Sequence, residues 1–251
     1  MTPLLEFKNV SCSAAGLEPL DGFSCAVGAG ENAVFFGVEG SGLRSVTPLA
    51  LCLAEEYDGD ILYRGKTIRG LDYLGRLRFR NEIGYLHGDY GLLSNLSVEQ
   101  NITLRMEYYS QLLPEEIRER AERLMRELGI EERRSSRPVD LARSEILRTA
   151  YARAVAHDPA LMIIEHAFAD QSPLNTRSFM DVLVKRAADP SLSALFITYE
   201  PETFVDFADV FIMLYEGRIV FSGTRREFLE SDNPYLVQYR GVSLAGPMTL
   251  K

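Results

Sequence analysis

Short apolar runs separated by polar turns mark both ends of this chain. Those at residues 4–10, 23–27, 33–36 and 60–63 predict strands, and the turn Arg64-Gly65 closes the fourth. Three further strands are predicted at residues 161–164, 195–198 and 210–214, and the turn Glu216-Gly217 leads into another at 218–221. Because helical segments separate several of these strands, the pattern predicts a largely parallel sheet with crossover connections.

Helical periodicity dominates the middle of the chain. Apolar residues recur at helical spacing between positions 98 and 129, where Pro114 suits the first turn of a helix. Further helices are predicted at residues 144–156, 174–187 and 225–230. The pattern therefore predicts an α/β fold with an inserted helical region.

Composition and charge exclude several classes of protein. The chain has 251 residues, of which 46% are hydrophobic, enough for one large core or a core with a small satellite domain. Its formal net charge of −9 argues against nucleic acid as a partner, because contacts to phosphates need clustered Lys and Arg. We expect Arg76, Arg78 and Arg80 to lie on solvated faces.

Cysteine usage and apolar run length set expectations about metal and location. Cys12, Cys25 and Cys52 lack the spacing of metal ligands, so we expect reduced, mostly buried thiols and no structural metal. The apolar runs are too short for a membrane span, and the first residues do not read as a signal peptide. The expected location is cytoplasmic.

A glycine loop follows the run at residues 33–36. The sequence GVEGSGLRS contains Gly37, Gly40, Ser41 and Gly42, an arrangement typical of a phosphate-binding loop, although glycines after a strand also form ordinary turns. Such a loop needs a Lys after its last glycine, but Leu43 stands there. Arg44 and Ser45 supply a cation and a hydroxyl one position late, which turns each side chain by roughly 100° around a helix.

The order of segments resembles the ATP-binding subunit of ABC transporters over nearly the whole chain. Besides the loop, the resemblance rests on the stretches at residues 83–102, 141–159, 161–173 and 196–224. It implies an α/β P-loop NTPase (RecA-like) core with a mixed, largely parallel sheet, an antiparallel β subdomain and an inserted helical subdomain. The implied boundaries are 1–87 and 157–231 for the core, 88–156 for the helical subdomain and 232–251 for a C-terminal tail.

The resemblance also implies functional positions, and this chain departs from the family's pattern at most of them. Besides Leu43, the departures are Gly88 at the Q-loop glutamine, Ala142 and Arg143 at the signature serine and first glycine, Glu165 at the Walker B aspartate, His166 at the catalytic glutamate, Ser172 at the D-loop aspartate and Tyr199 at the switch histidine. Ser144 and Glu145 complete the signature-like segment. Residues 12–16 read CSAAG where an adenine-stacking aromatic residue is expected.

Three functions remain open from these residues. The first is a degenerate structural or regulatory subunit, a pseudo-ATPase, in which binding of ATP and magnesium is doubtful. The second is an active or nucleotide-binding ATPase in which Arg44, Glu165 and His166 take over the missing roles, with Glu165 as a weak metal ligand. His166 also has an ordinary interpretation, as a hydrogen-bonding residue at a strand end. The third is a soluble protein-binding module.

The partners implied by the resemblance are an ABC permease, a second ATP-binding subunit in a homodimer or heterodimer, and a small regulatory subunit, so the chain would lie peripherally on the cytoplasmic face of the membrane. Tyr90, Leu92 and Leu93 are the predicted apolar anchors for the permease; the competing interpretation is that they belong to the core. The turn FADQSP and the tail resemble ATPase subunits of Mla-type and other Mce-linked lipid transporters. The tail is then expected either to contact a neighbouring subunit or to be a loosely ordered terminus.

Overall fold

The computed structural model describes residues 2–187 and 191–249. Its strands are β1 (Leu5–Cys12), β2 (Leu20–Val27), β3 (Asn32–Gly37), β4 (Asp58–Tyr63), β5 (Lys66–Thr67), β6 (Ile83–His87), β7 (Leu161–Glu165), β8 (Ser193–Thr198), β9 (Val210–Tyr215) and β10 (Arg218–Thr224). Its α-helices are α1 (Leu43–Ala50), α2 (Tyr73–Asn81), α3 (Val98–Tyr109), α4 (Pro114–Glu127), α5 (Arg143–Val155), α6 (Pro173–Ala187), α7 (Arg225–Glu230) and α8 (Pro234–Arg240). Contacts divide the chain into a first unit, Met1–Leu77 with Ser193–Lys251, and a second unit, Arg78–Leu192.

The first unit contains two groups of strands. Strands β2, β1, β4 and β5 form an antiparallel sheet in that order. Strand β3 pairs in parallel with both β8 and β9, while β9 and β10 form an antiparallel hairpin through the predicted turn Glu216-Gly217. Every residue of β3 is buried, as expected for a central parallel strand. These pairings confirm the predicted antiparallel subdomain and mixed sheet.

The second unit combines a parallel strand pair with helices. Strands β6 and β7 run in parallel, with Ile83 opposite Leu161 and His87 opposite Glu165. Helix α3 begins with a capping box, in which the Ser97 Oγ accepts from the Gln100 N–H and the Ser97 N–H donates to Gln100 Oε1. Helix α4 begins at Pro114, which confirms the predicted first-turn proline.

Four elements lay outside the sequence predictions: α2, β5, β6 and α8. Helix α8 matters most, because it shows that the tail is not loosely ordered over residues 234–249. Asn233 caps the helix by accepting from the Tyr235 and Leu236 N–H groups, and the side chains of Leu236 and Met248 are buried. The tail therefore packs within the first unit, while residues 250 and 251 lie outside the described residues.

The structure bears on the predictions made about thiols, metal ions and membrane spans. Cys12 and Cys52 are buried and Cys25 is half-buried, in agreement with mostly buried thiols. Among residues 2–187 and 191–249, no group of His, Cys, Asp or Glu is arranged to hold a metal ion. Within the same residues, no helix combines the length and the apolar character that a membrane crossing requires.

Candidate functional site

The glycine loop joins β3 to α1, and its backbone requires glycine at two places. Gly42 precedes α1 with a φ of 98°, in the left-handed region. A Cβ there would lie 2.7 Å from Leu20 Cδ2 and 2.9 Å from the Pro19 carbonyl oxygen. At Gly37 a Cβ would lie 2.4 Å from the Leu214 carbonyl oxygen. The loop is thus packed closely against its own chain.

A carboxylate from outside the loop caps the N-terminus of α1. Glu18 Oε2 accepts a hydrogen bond from the Gly42 N–H at 2.9 Å and one from the Arg44 N–H at 3.3 Å. N–H groups at the start of a helix lack partners within the helix, and in phosphate-binding loops they bind phosphate oxygens. Glu18 belongs to no motif and lies 24 residues before Gly42 in sequence. No local pattern could therefore have identified it as the cap of α1.

The side chains that follow the last glycine are those of Leu43, Arg44 and Ser45. Leu43, which is predicted to stand at the lysine position, is completely buried. The Ser45 hydroxyl donates to the Glu18 carbonyl oxygen at 2.6 Å, and the Arg44 side chain is exposed. In this conformation the loop does not fit a magnesium-bound triphosphate, because the Gly42 and Arg44 N–H groups hold a carboxylate and an aliphatic side chain follows the last glycine. Ser41 Oγ is buried and finds no hydrogen-bond partner among the described residues.

The C-terminal helix reaches both the loop and the switch position. The Tyr239 hydroxyl lies 2.7 Å from the Tyr199 carbonyl oxygen and 3.2 Å from the Gly37 carbonyl oxygen, so the two oxygens share its single proton. The Tyr239 ring also packs edge-on against Phe36. Burial raises the pKa of Tyr239, which keeps the hydroxyl protonated as a donor. The Tyr199 side chain is 41% exposed.

A second cluster lies at the end of β7, in the second unit. Glu165 is buried, and its Oε2 accepts a hydrogen bond from the Tyr85 hydroxyl at 2.7 Å. Burial, and then the nearby Glu165, raise the pKa of Tyr85. His166 follows with a φ of 49°. One oxygen of the carboxylate predicted as a weak metal ligand is therefore already engaged by a neighbouring strand.

Gly88, which is predicted to stand at the Q-loop glutamine position, lies directly against the backbone of His166. A Cβ at position 88 would lie 2.7 Å from the His166 carbonyl oxygen. Backbone contacts of this kind cannot be relieved by turning a side chain. The glycine is therefore required by the close approach of the segment after β6 to the end of β7.

Restoring the family residue as Gly88→Gln is expected to lower the free energy of unfolding by about 1–3 kcal/mol, because the new side chain forces the backbone at His166 to move. Chemical denaturation followed by circular dichroism measures this change. Gly28→Gln is the matched control, since a Cβ there would meet only side-chain atoms of Glu31, the nearest at 3.3 Å. Equal stability of the two variants would contradict the steric argument.

The signature-like segment begins α5, and its charged residues are paired within the second unit. Glu145 accepts from the Ala142 N–H at 2.8 Å and pairs with Arg133 at 2.8 Å, and these two contacts lower its pKa in that order. Arg143 pairs with Asp170 at 2.8 Å, although both side chains are more than half exposed. Ser144 is half-buried. The Arg143 cation thus has an acidic partner on its own chain.

The predicted docking loop is corrected at Tyr90. This side chain is 2% exposed; its hydroxyl donates to the Ala167 carbonyl oxygen at 3.0 Å and accepts from Gln171 Nε2 at 2.7 Å. The prediction of Tyr90 as a surface anchor is therefore wrong, because the residue belongs to the core. Leu92 is half-buried, and Leu93 is 44% exposed, so the competing assignment of Leu93 to the core is also wrong.

Asn101 holds this loop in place. It is fully buried on α3; its Oδ1 accepts from the Leu93 N–H at 2.8 Å. Its Nδ2 lies within hydrogen-bond distance of the carbonyl oxygens of Leu93, Leu96 and Ser97, at 3.2, 3.3 and 2.9 Å. No sequence pattern marked this role, because it depends on the burial of Asn101, which only the structure shows.

Comparison with known proteins identifies the family. The profile described as "ABC transporter" matches residues 20–169. This chain belongs to the ABC transporter family. Methionine import ATP-binding protein MetN 1 of Bacillus cereus is 26% identical over 228 residues, which cover 89% of this chain and 66% of that protein. MetN of Rhizobium johnstonii is 30% identical over 204 residues, covering 81% of this chain and 56% of that protein. The chain thus spans less than two thirds of the length of these two relatives.

Solved structures confirm the P-loop NTPase fold of the ABC type. CbiO1 from Clostridium perfringens, described as part of the ABC transporter complex CbiONQ, superposes with a TM-score of 0.83 at 22% identity, covering 96% of each chain. A dimeric ATP-binding cassette bound to ADP and Pi superposes with a TM-score of 0.79 at 20% identity, covering 88% of this chain and 99% of that one.

Proposed function

We propose that this chain is the ATP-binding-cassette subunit of a membrane transporter and that it acts as a structural or regulatory pseudo-ATPase. Membership of the ABC transporter family supports the first part. The observation that carries the second part is Leu43: the position of the phosphate-binding lysine holds an aliphatic side chain that is completely buried. No cation therefore stands where the family places one.

The charges at the phosphate site distinguish a pseudo-ATPase from an active ATPase. Phosphoryl transfer depends almost entirely on positioning and on electrostatic stabilisation of the phosphate oxygens. An active ATPase would need Arg44, Glu165 and His166 to compensate for the loss of the lysine and of the catalytic carboxylate. Arg44 is exposed, and Glu165 accepts from Tyr85. The exposure of Arg44 and the hydrogen bond to Glu165 favour a structural role over an active ATPase.

The proposed partners are a permease and a second ATP-binding subunit, with the chain on the cytoplasmic face of the membrane. The name of CbiO1, part of an ABC transporter complex, supports assembly of this kind. The exposed Leu93 and the half-buried Leu92 would contact the permease, without Tyr90. Other exposed apolar residues of the second unit lie at the C-terminal end of α3 and just before α4: Tyr108, Tyr109 and Leu113.

The narrower assignment to lipid transport rests on the turn FADQSP and on the tail alone. The relatives named above are methionine importers, and they give it no support. These relatives also give no support to the predicted small regulatory subunit. In the described residues the tail packs on its own unit through Leu236 and Met248, while Val242 and Leu244 remain exposed. These two exposed residues are the part of the tail that a neighbouring subunit would contact.

Calorimetric titration with ATP and ADP in the presence of magnesium tests the loss of nucleotide binding. We expect no heat of binding at millimolar nucleotide, because the lysine position is aliphatic and Glu18 occupies the Gly42 and Arg44 N–H groups. Leu43→Lys serves as the reference for a partly restored loop. Micromolar binding by the unmodified chain would overturn the pseudo-ATPase in its strong form.

A further inference from the structure

We propose that the Glu18 carboxylate is the resident ligand of the glycine loop and that it excludes phosphate-bearing anions from it. This inference deepens the proposed function, and it rests on that function in taking the loop as the phosphate-binding element. It gives the loss of phosphate binding a cause outside every family motif. Glu18 precedes β2 and is separated from the loop by that strand and by β3.

The contacts of Glu18 are those of a bound anion. Its Oε2 accepts from two N–H groups of the loop, those of Gly42 and Arg44. Helix α1 has no acidic residue in its first turn and no side-chain cap from Gly42, so Glu18 supplies the negative charge that a helix N-terminus favours. A carboxylate oxygen on these donors and a phosphate oxygen on them are mutually exclusive.

Neighbouring contacts hold the Glu18 backbone beside the loop independently of its side chain. The Glu18 carbonyl oxygen accepts from the Ser45 hydroxyl at 2.6 Å and lies 3.6 Å from the Cys12 thiol. On the C-terminal side, the Asp21 N–H donates to the Gly217 carbonyl oxygen at 3.0 Å. Glu18 precedes Pro19, and the residue before a proline is restricted to extended conformations. The carboxylate is therefore presented by an anchored and restricted backbone.

An anion held in this way competes strongly with a free ligand. Because it belongs to the same chain, its effective concentration at the loop is on the order of millimolar or higher. An incoming phosphate must first displace the carboxylate. It must then remain close to the negative charge of the carboxylate, and this repulsion weakens binding further. The ligand class that the loop would accept once Glu18 is removed is an anion bearing phosphate, either free or within a nucleotide.

The test compares the unmodified chain with Glu18→Ala and with Glu18→Gln, which keeps the side-chain size but removes the charge. Glu230→Ala is the charge-matched control, because Glu230 is 64% exposed on α7 and pairs with Arg226. Inorganic phosphate and ADP are titrated separately, by calorimetry and by NMR of the Gly42 and Arg44 amides. Circular dichroism verifies folding, and Glu18→Gln carries the comparison if Glu18→Ala does not fold.

We expect Glu18→Ala to bind ADP at least about tenfold more tightly than the unmodified chain, since two charge-assisted hydrogen bonds no longer have to be broken. Glu18→Gln should change in the same direction, and Glu230→Ala should behave like the unmodified chain. Shifts of the two amides with inorganic phosphate would show that a free anion suffices; shifts with ADP alone would show that the loop takes phosphate only within a nucleotide.

Unchanged affinity in Glu18→Ala and Glu18→Gln, or amides that do not move with either ligand, would overturn the inference. That result would leave the pseudo-ATPase proposal standing, because Leu43 would still explain weak binding. ATP hydrolysis by the unmodified chain would instead overturn the proposed function, whatever the Glu18 variants do. The two failures are therefore distinguishable.

Discussion

The purified chain is expected to release phosphate from ATP and magnesium no faster than the background reaction. Loss of one well-placed electrostatic contribution at a catalytic site costs about 100- to 1000-fold in kcat. This chain lacks two: Leu43 stands at the lysine position and His166 at the catalytic carboxylate position. A coupled assay for phosphate, run with the unmodified chain, measures the result.

Variants of the same chain sharpen this prediction. Leu43→Lys alone should not restore turnover, because the Glu18 carboxylate still occupies the loop N–H groups and the carboxylate at position 166 is still missing. The triple change Glu18→Ala, Leu43→Lys and His166→Glu restores all three features at once, and any turnover it gains measures their joint contribution while Gly88, Arg143 and Tyr199 still depart from the family pattern. Turnover by the unmodified chain that disappears on His166→Ala would contradict the prediction and would favour the ATPase that uses His166 as a base.

Asn101→Ala is expected to lower the free energy of unfolding by about 2–4 kcal/mol, since it leaves a small cavity and deprives the loop backbone of its buried partners. The buried Asn101 amide bonds both the N–H and the carbonyl oxygen of Leu93. Urea denaturation followed by circular dichroism measures the change.

Asn95→Ala is the matched control for Asn101→Ala, because Asn95 lies in the same loop and its side chain is exposed. We expect it to change stability by less than about 0.5 kcal/mol. A similarly small effect of Asn101→Ala would contradict the role assigned to this residue. If the loop around Leu93 contacts a permease, Asn101→Ala should also weaken that contact, because the exposed leucine loses its support.

The best-predicted elements are those whose buried side chains recur at a regular spacing. Strand β3 is buried along its whole length, and α4 buries Ile117, Ala121 and Leu124 at helical spacing. Helix α2 was missed because it buries only Phe79 and therefore carries no apolar stripe. Strand β6 was missed because Gly84 interrupts its apolar run. At Gly84 a Cβ would meet the Met162 sulfur at 2.1 Å, a constraint that comes from the neighbouring strand.

The sequence by itself predicted most of the strands and helices in their order, the position of the glycine loop and the positions at which the chain departs from the family pattern. These features depend on local periodicity and on spacing along the chain. The tertiary structure alone decided what occupies the loop and what is exposed. Glu18 reaches Gly42 across 24 residues and Tyr239 reaches Gly37 across 202. Tyr90 is buried because its hydrogen-bond partners Ala167 and Gln171 lie 77 and 81 residues further along the chain, and only chain folding brings them together.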